Sequence, residues 1–160
     1  ELKAKLRQVM EDESRTKSER EVQQQLEEAL VKSNQIPLPP SLIEAQVEHM
    51  LERLRAQILG PKGQWSDKQL DDLRQKLRPK AEAELRLSYL LPAIAEKEKI
   101  KALDEDIQAE FERNLSAAQD EDRKQEIQKM FKERRDAISD MIRDRKTMDW
   151  IREKATMVEG

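Results

Sequence analysis

The sequence predicts an all-α fold, and its composition and periodicity both favour that class. Charged residues make up 41% of the 160 residues and aromatic residues only 3%. Good helix formers such as Lys, Glu, Gln, Leu and Ala dominate the chain. Apolar residues recur at spacings of three and four, the period of an amphipathic helix. Because the hydrophobic share of 36% is low for a compact core, we expect an elongated multi-helix body with a large surface.

The charge balance and the missing residue types exclude several classes of partner. The net charge is -3, from 31 basic and 34 acidic residues, so no large field of one sign would attract nucleic acid. The absence of cysteine excludes disulfides and thiolate metal sites and fits a reducing compartment. No apolar run reaches the ~18 residues of a membrane span, so we expect no membrane partner. The start at Glu1, without Met or a signal peptide, indicates a fragment of a longer protein.

The first predicted helix covers about residues 2–32, and residues 1–33 form a long arm. Its apolar residues fall at its two ends, namely Leu2, Leu6, Val9 and Met10, then Val22, Leu26, Ala29 and Leu30. Every residue from Glu11 to Glu21, hereafter the shaft, is polar or charged, so this segment cannot be buried. A rod of about 30 residues would span roughly 45 Å.

A proline elbow at residues 34–41 ends the arm and turns the chain back. Pro39 and Pro40 disfavour helix directly before them. Ser41 precedes Glu44 by three residues, the spacing of a capping box, so the next helix is expected to start just after this serine.

The second predicted helix covers residues 42–59 and carries one wide apolar stripe, which predicts packing against a partner helix. The stripe consists of Ile43, Val47, Met50, Leu51, Leu54 and Ile58. A loop at residues 60–66, containing Gly60, Pro61 and Gly63, follows it. Ser66 and Gln69 repeat the capping-box spacing and begin the next helix. The elbow and this loop are the two expected tips.

A kinked central helix is predicted over residues 67–99. Pro79 removes a helical amide and predicts a break or strong kink, and Pro92 predicts a bend near Ser88. The segment from Leu87 to Ile94 has core spacing and is expected to belong to the most buried helix.

The C-terminal region, residues 103–160, is predicted to hold three further helices. They begin near Asp104, Glu121 and Glu133. Their apolar positions include Ile107, Phe111, Leu115, Ile127, Met130, Phe131, Ile138, Met141, Ile142, Met148 and Ile151. With no repeat or low-complexity tract, we predict a single helical domain over residues 1–160.

No constellation predicts catalysis, a cofactor or a metal ion. His49, the only histidine, lies off the apolar stripe and is expected to be solvated. There is no glycine-rich phosphate loop, no nucleophile motif and no turn that gathers oxygen ligands. The basic residues Arg134, Arg135, Arg143, Arg145 and Lys146 alternate with aspartates, which favours salt links along one helix over a nucleic-acid or ribosomal contact. An enzyme is therefore the least favoured class.

The stretch LVKSNQIPLPPSLIEAQVEHM, from Leu30 to Met50, resembles the arm junction in the C-terminal, substrate-binding domain of trigger factor, the ribosome-associated bacterial chaperone. Arg78 and Pro79, followed by the apolar Leu87–Ala95 and by EKEKI, resemble the central helix of that family and its turn. Together these pieces cover most of the chain. The sequence departs from the family pattern at Pro40, where a non-proline is usual, and at Leu103, where Ser or Thr is usual.

The resemblance implies a helical body with two protruding arms and an ATP-independent chaperone that binds unfolded or nascent polypeptides in the bacterial cytoplasm. The family's ribosome-docking and prolyl isomerase domains are not in these residues, so neither ribosome binding nor catalysis is expected of this segment. SurA-type periplasmic chaperones are a second relative, with the periplasm as the alternative compartment. A helical scaffold that binds one folded partner through the second helix is the rival function, and a weak homodimer remains open.

The candidate polypeptide contacts lie near the tips and the C-terminal helices. Ile36 and Leu38 mark the elbow, Trp65 marks the loop, and a C-terminal set is expected to line the space between arm and body, namely Met130, Phe131, Met148 and Trp150. Methionine suits surfaces that accept many partners, but it also fills cores. Packing in the elbow or the core is thus the alternative for each residue.

Overall fold

The computed structural model describes residues 2–60 and 63–155, with side chains from Met10 onward. These residues form six α-helices and no strand, which confirms the all-α prediction. The helices are α1 Leu2–Ser33, α2 Pro40–Ile58, α3 Asp67–Lys97, α4 Asp104–Ala117, α5 Glu121–Glu133 and α6 Arg135–Lys154. None of the helices in the described ranges is long and apolar enough to cross a membrane. The side chains of the predicted apolar face at Leu2, Leu6 and Val9, and residue Pro61 of the loop, lie outside the described part of the chain.

The chain divides into two compact units, Glu1–Tyr89 and Leu90–Gly160. The boundary falls within α3, so the first unit holds α1, α2 and most of α3, and the second holds the end of α3 and helices α4 to α6. The single domain over residues 1–160 and the two protruding arms stay predictions.

Helix α1 has the solvated shaft that the sequence predicts. Every side chain from Met10 to Glu21 is exposed, and short-range pairs line this surface. Arg15 pairs with Asp12 at 2.8 Å, and Lys17 with Glu21 at 3.9 Å. Ion pairs one turn apart stabilise this part of the helix, which has no apolar face to bury.

Helix α2 begins at Pro40, two residues earlier than predicted, and Ser41 is not its cap. Pro39 is the N-cap residue and makes no side-chain hydrogen bond, and Pro40 occupies the first helical position. The first amides of a helix have no intrahelical acceptor, so proline loses nothing there and its fixed φ suits the helix. The double proline therefore starts the helix, where we had expected it only to end the elbow.

The core of the first unit lies between α2 and α3. Ile43, Val47, Met50 and Leu51 of α2 and Ala81 of α3 are buried together. Partly buried residues pack around them, namely Leu38, Trp65, Leu73, Leu77 and Leu85. This confirms the predicted partner helix for the α2 stripe. At its margin, Arg74 of α3 donates to Glu48 of α2 at 2.7 Å.

The loop between α2 and α3 depends on two glycines. Gly60 has a φ of 70°, and a Cβ on Gly63 would lie 2.2 Å from the Cβ of Leu59. Left-handed backbone and close approach both favour glycine. The predicted capping box then begins α3, because the Ser66 amide donates to Gln69 Oε1 at 3.0 Å and the Gln69 amide donates to Ser66 Oγ at 3.4 Å.

Helix α3 runs without interruption through Pro79 and Pro92, so it has no break at Pro79. The predicted kink at Pro79 and the predicted bend near Ser88 stay predictions. Each proline removes one backbone hydrogen bond, but Leu77 and Ala81 on either side of Pro79 pack in the core of the first unit. Helix stability in proteins comes mostly from such packing, which here outweighs the lost bond. The segment Leu87–Ile94 was predicted to belong to the most buried helix, but its residues are half-buried or exposed. The buried residues are instead concentrated in α2 and α6.

The second unit packs α4 and α6 around a second core. Ile107 of α4 and Ile138 and Ile142 of α6 are buried together, with Ala102 and Phe131 partly buried against them. The Phe131 ring meets the Phe111 ring edge to face, with centroids 5.1 Å apart. Asp106 and Asp120 cap α4 and α5 by accepting the backbone amides of Leu103 at 2.8 Å and Arg123 at 2.7 Å. The three predicted C-terminal helices are thus confirmed.

The basic residues of α6 form two kinds of ion pair. Arg143 bonds Asp140 at 2.7 Å and Asp144 at 2.8 Å within its own helix, as predicted. Three other cations reach α4 instead, in the pairs Arg135–Asp104 at 2.7 Å, Lys146–Asp106 at 2.7 Å and Arg145–Glu110 at 2.8 Å. The prediction that all of them pair along α6 is wrong, because intrahelical spacing carries no information about the facing helix.

Candidate functional site

The described part of the first unit contains a groove of about 840 Å³ between α1 and α3, hereafter the α1–α3 groove. Residues 20–35 line it from α1 and its end, and residues 79–87 line it from α3. At 1.5 Å per residue, the α1 side is about 22 Å long. An extended chain advances by at most about 3.5 Å per residue, so the groove matches a segment of about six residues.

The apolar part of the lining is small, and most of it is half-buried. It comprises Val31 of α1 and Pro79, Ala83 and Leu87 of α3. Val31, Ala83 and Leu87 are each partly exposed, so they are covered by protein on one side and reachable on the other. This lining can hold one or two aliphatic side chains.

The polar lining carries both signs of charge in equal number. The cations are Arg20, Lys32 and Lys80, and the anions are Glu27, Glu28 and Glu84. Such a balance gives no preference for a strongly charged ligand, and salt would change binding little.

Three glutamines complete the lining. Gln23, Gln24 and Gln35 donate their amide hydrogens within the α1 region, to Glu27 at 2.9 Å, Glu28 at 2.8 Å and the Val31 carbonyl at 2.8 Å. Their side-chain oxygens keep acceptor capacity for a backbone N–H. The groove therefore combines aliphatic contacts with hydrogen-bond acceptors that can bind a backbone N–H whatever the side chain of the ligand residue.

The predicted contacts in the first unit are mostly packing residues. Leu38 and Trp65 are half-buried against the core between α2 and α3, which is the packing alternative for both. Ile36 is half-buried as well, and its carbonyl accepts from Arg86 Nε at 3.2 Å. None of the three lines the α1–α3 groove.

The predicted contacts in the second unit differ in accessibility. Met130 is 40% exposed and available for contact. Phe131 and Trp150 are half-buried, with Phe131 packed on the second core. Met148 is only 7% exposed, so it is a core residue and offers no surface to a polypeptide. Met148 stands ten residues after Ile138 and six after Ile142, so helical spacing does not place it on their face, and its burial is visible only in the fold.

Other large apolar side chains are exposed singly in both units. The most exposed are Ile58 at 65%, Met10 at 62%, Leu103 at 55%, Met141 at 51% and Tyr89 at 50%. Isolated exposed apolar residues are ordinary on protein surfaces. These residues lie on five different segments of the chain and are accessible for contact.

The ionisable groups of the described ranges form ion pairs and no metal-binding cluster. Those residues contain no group of three or more His, Asp or Glu side chains able to hold a metal ion. A hydrogen bond from Arg145 lowers the pKa of Glu110, and hydrogen bonds from Lys146 and the Leu103 amide lower the pKa of Asp106. Both shifts belong to the α4–α6 ion pairs, not to a reactive pocket. His49 is exposed, as predicted.

The family described as "Bacterial trigger factor protein (TF) C-terminus" matches residues 1–153 of the chain. The chain belongs to this family. A trigger factor of Carboxydothermus hydrogenoformans is 34% identical over 163 residues, covering 98% of this chain and 37% of the relative. A trigger factor of Koribacter versatilis is 35% identical over 160 residues, covering 94% of this chain and 35% of the relative.

The resemblance to a chaperone family, found at the elbow and the central helix, is thereby confirmed for nearly the whole chain. A third trigger factor, from Dehalococcoides mccartyi strain CBDB1, is 30% identical over 162 residues, which cover 97% of this chain. The chain spans a little over a third of the length of these relatives. No solved structure matches it.

The sequence does not predict the α1–α3 groove. The sequence shows apolar residues at the end of α1 and in the second half of α3. It does not show that these two segments lie on opposite sides of one groove. The available signal is the apolar face at the end of α1. Its half-buried apolar residues are Val22, Leu26, Leu30 and Val31, and they follow the solvated shaft. Nothing in the local spacing tells which helix faces them.

Proposed function

We propose that this chain is the substrate-binding chaperone domain of a bacterial trigger factor, and that it holds unfolded or nascent polypeptides without ATP in the cytoplasm. The observation that most directly supports this proposal is the α1–α3 groove, which combines an open shape, aliphatic lining and balanced charge. A site of this kind accepts many sequences, because it makes apolar contacts and backbone hydrogen bonds but demands no specific side chain.

Binding at the groove would be weak and reversible. Fully burying one aliphatic side chain contributes about 1.5–3 kcal/mol, and the groove has room for one or two. Ordering a flexible segment opposes this gain. Capture of a whole polypeptide would therefore need several segments at once, in the groove and on dispersed residues such as Met130, Met141 and Ile58.

The rival function is a scaffold that binds a folded partner through the α2 stripe, and most of that stripe is not accessible to a partner. Ile43, Val47, Met50 and Leu51 of that stripe are all buried against α3. Only Ile58, at the end of the stripe, is strongly exposed, at 65%. One exposed residue is too little for a stable protein interface.

The remaining partner assignments are also proposals. Ribosome contact would require a domain outside these residues, and this segment would catalyse nothing by itself. Balanced surface charge argues against nucleic acid as a partner. A weak homodimer would be compatible with the dispersed apolar residues.

The test is suppression of aggregation. Several unrelated enzymes, unfolded in denaturant and diluted into buffer, should aggregate more slowly with increasing amounts of the chain and no nucleotide. The double variant Val31→Ser/Leu87→Ser should weaken the delay, whereas Val31→Ile/Leu87→Met keeps the lining apolar and should act as wild type. Circular dichroism would verify that both variants keep their helix content.

Two outcomes would contradict the proposal. No delay with any client would reject a chaperone function for this segment. A delay that the serine variant leaves unchanged would keep the function but reject the α1–α3 groove as its main site.

A further inference from the structure

The elbow that joins α1 to α2, residues 34–39, has few hydrogen-bond donors of its own. Prolines at positions 37 and 39 have no backbone N–H, and Pro40 follows them. Within the elbow, the Ile36 amide donates to the Asn34 carbonyl at 2.9 Å, and the Asn34 amide donates to the Val31 carbonyl at 3.3 Å. Both bonds are local, so neither fixes the elbow to the rest of the unit.

Arg86 of α3 supplies a long-range bond. Its Nε donates to the Ile36 carbonyl at 3.2 Å, joining positions 50 residues apart in sequence. Its Nη1 lies 3.5 Å from Glu82 Oε2, one turn back on α3. The Arg86 side chain is only 17% exposed and Glu82 29%, so solvent screens this arrangement less than it screens surface pairs. The guanidinium is planar and offers donors in a fixed fork, which suits it to hold two acceptors at a defined angle.

This bond lies where it can set the width of the α1–α3 groove. On the α3 side, Ala83 and Leu87 flank Arg86 in sequence. On the α1 side, the groove ends at Gln35, the residue directly before the bonded Ile36. From Ser33, the end of α1, to Arg20 is about 20 Å at 1.5 Å per residue, so a hinge of about 10° at the elbow would move the far end by about 3 Å.

We propose that Arg86 is a positioning residue that holds the elbow on α3 and thereby keeps the α1–α3 groove open at one width, ready for an extended polypeptide segment. That the groove receives a polypeptide rests on the proposed function. The positioning role itself does not, because it concerns a distance within the free protein.

The test measures that distance directly. The chain has no cysteine, so Gln24→Cys and Lys80→Cys place two spin labels on opposite sides of the groove without further changes. Pulsed electron paramagnetic resonance then gives the distribution of distances in the chain itself, with Arg86→Met, with Arg86→Lys and with Arg74→Met. Arg74→Met is the matched control, because it removes the exposed α3–α2 pair with Glu48 and leaves the elbow untouched.

In Arg86→Met the distribution should broaden or shift by about 3 Å, the movement that a small hinge gives over this length of α1. Arg86→Lys keeps the positive charge but loses the planar guanidinium, so the width of its distance distribution should lie between those of Arg86→Met and wild type. Arg74→Met should match wild type. An Arg86→Met distribution that matches wild type, or an equal broadening in Arg74→Met, would overturn the proposal.

Two further measurements keep the result interpretable. Glu82→Gln removes the charge partner of Arg86 and should broaden the distribution less, which gives a second variant if Arg86→Met proves poorly folded. Binding of a fluorescent, permanently unfolded protein should weaken several-fold in Arg86→Met. Broadening without weaker binding would retain the positioning role and reject the groove as the client site.

Discussion

Replacing Ile142 by alanine should selectively destabilise the second unit. Ile142 is 1% exposed and packs with Ile107 and Ile138. The change removes three carbon atoms at about 0.8 kcal/mol each and leaves a cavity that costs more, so we expect a loss of about 3 kcal/mol within a usual range of 2–5. The neighbouring Met141 is 51% exposed, and Met141→Ala should change the free energy of unfolding by less than about 0.5 kcal/mol.

The two tryptophans allow each unit to be followed by itself. Trp65 lies in the first unit and Trp150 in the second, so Trp65→Phe leaves fluorescence that reports only on the second. In that background, with a slope of about 1–2 kcal/mol per M urea, Ile142→Ala should lower the unfolding midpoint by about 2 M, and Met141→Ala should hardly move it. Equal shifts for the two alanine variants would refute the assignment of the core of the second unit.

Three further predictions address the shaft, the ion pairs and catalysis. Amides of residues 11–21 should exchange with solvent much faster than those of residues 43–51, and equal, strong protection would mean that the shaft is packed. Because Asp106 and Glu110 have pKa values below their ordinary 3.8 and 4.5, the stability they add is present above those ordinary values and is lost as the pH falls through the lowered ones. Urea midpoints of the second unit should therefore fall from pH 6 to pH 3, less steeply in Arg145→Met, and a flat profile would contradict the ion pairs. Finally, the chain should not accelerate prolyl cis/trans exchange in a test peptide, and activity that survives repurification would show a site that the described residues do not reveal.

The sequence predicted most of the helices because each has a strong local signal. The α2 stripe, the Ser66–Gln69 capping box and the solvated shaft of α1 follow from spacing alone, and the structure contains all three. The predicted start of α2 lies two residues too late, because proline breaks a helix in its interior but not at its first position. Pro40 instead supplies the favoured residue for the first helical position.

The continuity of α3 and the packing of two candidate contact residues both depend on tertiary contacts. The cost of Pro79 is local and visible in sequence, but the packing of Leu77 and Ala81 that offsets it is not. In the same way, Leu38 and Trp65 were chosen as apolar residues near expected tips, and only the fold reveals that they cover the core. The ion pairs between α4 and α6 join residues 31 to 40 positions apart, beyond the reach of any helical period.

Site-specific photo-crosslinking tests the central claim, that unfolded polypeptide binds in the α1–α3 groove, most directly. A photoreactive amino acid would replace Ala83, which lines the groove, or Asp72, an exposed residue of α3 that does not line it, as the control. We predict that an unfolded client crosslinks strongly at position 83 and weakly at position 72, and that the same client in its native state crosslinks at neither. Equal crosslinking at both positions, or none at position 83 while aggregation is still suppressed, would contradict the claim.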